Sequence, residues 1–84
     1  MPDAPIRLHV RFFALLREQA GCSVLEVGTT ARTPAGLYAE LQQQHGLAFP
    51  AALLRVSINE RYAEMGTPLS AGDRVVFIPP VAGG

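Results

Sequence analysis

The sequence predicts an α+β domain, a mixed sheet with its main helix packed on one face, and three stretches carry that prediction. Ile6, Leu8, Val10 and Phe12 alternate with Arg7, His9 and Arg11, the period of a strand with one wet face. Thr33-Pro34 opens a segment in which Leu37, Tyr38 and Leu41 form one apolar stripe. Val75-Val76-Phe77-Ile78 are four consecutive apolar β-formers, closed by Pro79 and Pro80. The first and last strands are the most apolar, so they are candidates for the sheet centre. Long connections separate them, and parallel pairing is therefore permitted.

The elements follow in order. Phe13 falls on the otherwise polar face of the first strand, either folded under by the next turn or exposed for contact. Residues 14–20 are good helix formers, and Gly21 supplies the positive φ that ends a helix. A helix of about two turns needs packing to persist. Residues 23–27 form a weaker second strand, followed by Gly28 and small polar residues. In the main helix Thr33 is the N-cap, Pro34 takes the first position, Glu40, Gln42 and Gln43 face water, and Gly46 closes the element. Leu54, Val56 and Ile58 alternate with polar residues as a third strand, Asn59-Glu60 begins a turn, and Tyr62 lies in a short extended piece. Thr67-Pro68-Leu69 and Ser70-Ala71-Gly72-Asp73 are turn chemistry leading into the last strand.

At 84 residues the chain is expected to be one domain, 1–84, with 79–84 as a flexible C-terminal tail. It is 49% hydrophobic and 17% charged, richer in apolar residues than a small interior needs, so part of the surplus belongs on a partner surface. Basic and acidic residues balance at seven each and are scattered singly, which argues against nucleic acid and anionic lipid. No apolar run approaches the ~20 residues of a membrane span and no secretory signal opens the chain, so a cytoplasmic location is expected. Cys22 stands alone, without a disulfide partner or a cationic neighbour nearer than Arg17, and a packing role is expected. His9 and His45 have no carboxylate or thiol at ligand spacing and are expected in solvent, so no metal site is assigned.

The closing Gly83-Gly84 carries the chemistry that is left. Two residues without Cβ atoms pass through a channel too narrow for others. An α-carboxylate is an anion at neutral pH and a poor electrophile until it is activated, for example as an acyl-adenylate. All seven basic residues are Arg, so no lysine amine within the chain competes for an activated carboxylate.

Phe12-Phe13-Ala14-Leu15-Leu16-Arg17-Glu18 with Gly21, Val56-Ser57-Ile58-Asn59, Thr67-Pro68-Leu69, Gly72-Asp73, and Phe77-Ile78-Pro79-Pro80-Val81-Ala82-Gly83-Gly84 resemble the sulfur carriers of the MoaD and ThiS group. The likeness spans nearly the whole chain, and the double proline before Gly-Gly is nearer to the MoaD members. It implies a ubiquitin-like β-grasp fold. It implies that a MoeB-type enzyme, consuming ATP, adenylates Gly84, which then takes sulfur from a donor protein as a thiocarboxylate. The tail, Pro80, Val81, Ala82, Gly83 and Gly84, would enter a pocket of a MoaE-type large subunit and give its sulfur to cyclic pyranopterin monophosphate in molybdenum cofactor biosynthesis. The catalytic side chains would belong to that subunit, and this chain would bind no cofactor stably. The family's apolar partner surface falls on Phe13, Tyr62 and Ile78. Other uses of the same tail are sulfur delivery for cysteine, thiamine or tRNA thiolation, and conjugation to proteins through Gly84; an interaction module with an idle tail is a further reading.

Overall fold

In the computed structural model, which describes residues 4–80, the chain runs β1 (Ile6–Phe12), α1 (Ala14–Ala20), β2 (Val24–Thr29), α2 (Pro34–His45), a 3-10 turn (Ala51–Leu53), β3 (Arg55–Ile58), β4 (Arg61–Ala63) and β5 (Arg74–Ile78). The five strands form one sheet in the order β2-β1-β5-β3-β4. β5 is central, parallel to β1 and antiparallel to β3, and the remaining pairs are antiparallel. The expectation that the two most apolar strands lie together inside the sheet is met, and their pairing is parallel.

Register sets the two faces. Val10 pairs with Val75 and Phe12 with Phe77, while Phe77 also faces Val56, so one side of the sheet is a continuous apolar surface. On it pack Leu37, Tyr38 and Leu41 of α2 and Leu16 of α1, all within one buried core. The Tyr38 and Phe77 rings meet at 5.2 Å between centroids, tilted by 53°, a geometry that adds to the area they bury. The Tyr38 hydroxyl donates to the Phe49 carbonyl at 2.8 Å, so its polar end is satisfied inside the core.

The helix ends follow the sequence. Thr33 Oγ1 accepts from the Gly36 amide at 3.2 Å, Pro34 is the first helical residue, and Gly46 takes the left-handed cap at φ 68°. Gly21 closes α1 in the same way, at φ 78°. Two details differ from expectation. β2 continues through Gly28 to Thr29, because its pairing with β1 runs down to Ile6 and the ladder holds residues whose own β-propensity is weak. Glu40 and Gln42 are half-buried and engaged: Glu40 accepts the Thr29 hydroxyl, and the Gln42 amide reaches the Phe49 carbonyl at 3.4 Å.

The start of β5 is held by a polar knot. Asn59 and Glu60, the two loop residues of the β3–β4 hairpin, both have positive φ, 52° and 72°, the backbone of a two-residue turn that matches strand twist. The Asn59 side chain donates to Asp73 Oδ1 and accepts from the Arg74 amide, each at 2.9 Å. Asp73 Oδ2 in turn accepts the Ser70 amide at 2.8 Å.

Three variants test this account by urea unfolding. Asn59→Gly keeps the backbone freedom but removes both side-chain bonds, and stability is expected to fall by about 1–2 kcal/mol. Glu60→Gly relieves an unfavourable left-handed conformation and is expected to raise stability by roughly 0.5–1 kcal/mol. Burial pushes the Tyr38 hydroxyl pKa above the ordinary tyrosine range. A raised folded pKa means a contribution present in full below the unfolded value and lost as pH climbs through the folded one. Tyr38→Phe should cost about 1 kcal/mol at neutral pH and soften the alkaline decline in stability; an undiminished decline would exclude Tyr38 as its source.

Candidate functional site

β1 ends at Phe12 and the chain turns into α1 through Ala14, whose φ of 51° is left-handed for a non-glycine residue. This turn leaves Phe13 outside the core, 43% exposed. Because Phe12 lies beside Phe77, the next residues, Phe13 and Ile78, are neighbours on the opposite side of the sheet. Ile78 is half-buried, Pro79 is buried and Pro80 is exposed. Pro79, assigned to the tail from sequence, is therefore packed into the folded body, and exposure begins at Pro80.

Phe13, Leu15, Phe49, Ile78, Pro79 and Pro80 line a groove of about 580 Å³, with Arg17 and Glu18 at its polar side. Pro79 and Pro80 are thus themselves part of an apolar collar. Of the residues assigned to a partner surface, Phe13 and Ile78 meet Pro80 here. Tyr62 shares their side of the sheet through its pairing with Ser57, but it sits on the edge strand β4 and is 81% exposed. Val81, Ala82, Gly83 and Gly84 lie outside the described residues. Leu15 and Phe49 were not singled out from sequence. Leu15-Leu16 reads as an apolar pair, and only the fold shows that Leu16 is buried while Leu15 stays 42% exposed.

The sheet face that α2 does not cover has its own electrostatics. Arg7, His9 and Arg11 of β1 and Arg74 of β5 all project to it by strand alternation, as does Arg55, which pairs with Ile78. Charges scattered along the sequence are thereby gathered on one side. His9 Nδ1 lies 3.4 Å from Glu26 Oε1, brought close by cross-strand register despite 17 positions of sequence separation, and Arg74 lies 3.7 Å from Glu60. The Arg11 guanidinium sits 5.6 Å from the Phe13 ring centroid, within cation–π range. His45 and Cys22 are half-buried, and Cys22 packs against the core as a free thiol. Among the described residues no three acidic, histidine or cysteine side chains form a metal-binding group, and no helix is long and apolar enough to cross a membrane.

An exposed contact residue and a core residue should behave oppositely. Tyr62→Ala is expected to change unfolding free energy by less than about 0.5 kcal/mol, whereas Phe77→Ala should cost about 3–5 kcal/mol. A large loss at Tyr62 by denaturant titration would mean that its ring supports the monomer.

Comparison with known proteins agrees with this geometry. Residues 10–84 match the model of the ThiS family. The chain is 34% identical to the molybdopterin synthase sulfur carrier subunit of Escherichia coli over 80 residues, covering 92% of this chain and 99% of that one. The structure of SAMP1 from Haloferax volcanii superposes with a TM-score of 0.76 at 26% identity, over 93% of this chain and 99% of that one. A protein–protein complex of subunits 1 and 2 of molybdopterin-converting factor from Helicobacter pylori contains a chain that matches with a TM-score of 0.66 at 29% identity, over 94% and 100% of the two chains. At the level of fold alone, the likeness extends to the ubiquitin of Caldiarchaeum subterraneum, with a TM-score of 0.61 at 17% identity over 95% and 99%. The fold is the ubiquitin-like β-grasp, and the chain belongs to the ThiS family of MoaD-like and ThiS-like proteins.

Proposed function

We propose that this chain is the sulfur-carrying subunit of a molybdopterin synthase. The observation that carries the reading is the end of β5: a strand hydrogen-bonded on both sides places Pro79 in the body and Pro80 at the surface, inside the collar of Phe13 and Ile78. Whatever follows Pro80 starts from a fixed point, and the family match continues through Gly84. The full-length likeness to a molybdopterin synthase carrier selects the pathway.

The chemistry begins at the Gly84 carboxylate. A MoeB-type enzyme transfers AMP from ATP to that carboxylate and releases pyrophosphate. Hydrosulfide, released from a donor protein's persulfide by a thiol reductant that is oxidised to a disulfide, then attacks the acyl carbon, the C–O bond to AMP breaks, and a thiocarboxylate remains. With no lysine in the chain, no side-chain amine of its own competes for the activated carbon. The tail then enters a MoaE-type large subunit, which supplies the catalytic side chains, and delivers sulfur to cyclic pyranopterin monophosphate. Phe13, Ile78 and Tyr62 make the apolar contacts that seat the carrier. The role of this chain is to carry the reactive end on a body that makes that contact.

Intact mass spectrometry after incubation with ATP, the cognate activating enzyme and a sulfur donor tests the proposal. The expected result is a mass gain equal to replacing one oxygen by sulfur, absent when Gly84 is deleted. Unchanged mass with an activating enzyme shown to be competent would overturn it. Higher-mass conjugates that vanish on deleting Gly84 would point instead to a protein modifier.

A further inference from the structure

The sheet face away from α2 carries a charge pattern that sulfur transfer at the tail does not use. Of the strand residues projecting to it, four are arginines, Arg7, Arg11, Arg55 and Arg74, and one is His9, while the only carboxylate is Glu26. Glu60 adds a second acid at the hairpin turn, beside Arg74. Among the described residues Arg7, Arg11 and Arg55 lie within 4.0 Å of no carboxylate. The face has an excess of positive charge in a chain whose formal net charge is zero.

Apolar side chains are set between the cations. One register level across the sheet reads Val24, Arg11, Val76, Ser57, Tyr62, and Val24 is 58% exposed. His9, Arg11, Val24, Arg74 and Val76 are among the residues lining a shallow groove of about 360 Å³ on this face. The surface is continuous with the tail collar, since Arg11 stacks on Phe13 and Arg55 pairs with Ile78.

We propose that the open sheet face docks an acidic protein surface, one whose carboxylates alternate with apolar side chains, and that this surface belongs to the subunit that receives the tail. The inference rests on the carrier reading above and adds the chemistry of the partner. Charge complementarity calls for an anionic partner, and the side chains between the cations favour a protein over nucleic acid. Valines between the arginines match apolar side chains rather than a phosphate ladder, and the exposed aromatics Phe13 and Tyr62 stand at separate corners with no row on which bases could stack. Arginine suits such a site, because its planar fork pairs with carboxylates in two-point geometry. The cations steer encounter and fix orientation, and the apolar residues supply contact area.

The test is calorimetric titration of the full chain with the purified second subunit of the same organism's synthase, at 50 mM and 500 mM NaCl. Screening of complementary charges should weaken binding about tenfold or more between these conditions. Arg11→Glu and Arg55→Glu should each weaken it about fivefold or more at low salt. Arg61→Glu makes the same change in net charge on the other side of the sheet, opposite Ile58, and should leave affinity unchanged. Circular dichroism confirms that each variant is folded. Binding that is equally tight at both salts and indifferent to Arg11 and Arg55 overturns this inference but leaves the carrier reading standing. No binding at either salt, together with no thiocarboxylate in the mass assay, overturns both. Tighter binding to a single-stranded RNA or to phosphatidylglycerol vesicles than to the subunit overturns the choice of a protein partner.

Discussion

The parallel pairing of β1 with β5 is the constraint on which the rest depends. It joins segments more than 60 residues apart and makes the strand nearest the C-terminus the middle of the sheet. Once Val10 lies beside Val75 and Phe12 beside Phe77, the core face is continuous and α2 has a surface on which to lay Leu37, Tyr38 and Leu41. The same register decides what lies opposite. Phe13 and Ile78, each one residue beyond a buried pair, become neighbours on the uncovered side. A frayed last strand would separate them and free the point from which the tail departs.

Central placement also explains why the entry into β5 is so heavily bonded. A strand paired on both sides transmits any slip at its start to its end, because a shift of one residue exchanges the buried and exposed sets. Here Asn59 and Asp73 hold the start through side-chain bonds to the Arg74 amide and to the preceding turn. The cost is two consecutive non-glycine residues at positive φ in the hairpin. Ala14, also at positive φ, stands at the other end of β1, beside the collar. Unfavourable backbone conformations occur where the chain must turn sharply to hold register or to keep Phe13 outside, and burial of the apolar face compensates for them.

The two sides of the sheet divide the work. One is closed by α1 and α2, and buried side chains there reach 0% exposure. The other mixes arginines with valines and ends at the collar, a composition suited to association. The chain's apolar surplus is visible in its exposed residues: Phe13, Leu15, Val24, Leu53 and Tyr62 are all open to solvent in the monomer. Three of them, Phe13, Val24 and Tyr62, lie on the arginine-bearing side, and Leu15 lines the collar.

Much of this could be read from the chain. Alternation of period two identified β1 and β3, a Thr-Pro start and a Gly stop bracketed α2, and an unbroken apolar run marked β5, because these signals are local and each follows from burial on one face or two. The collar was half legible: Phe13 betrayed itself by breaking the alternation, whereas Leu15 and Phe49 offered no local sign of exposure. Pairing between distant segments decided the rest. It lengthened β2 past a glycine, returned Pro79 to the body, set Glu26 beside His9 and collected four arginines onto one face. Local periodicity determines which residues of a strand share a side; only the hydrogen-bonded register between strands determines which of those sides become a single surface.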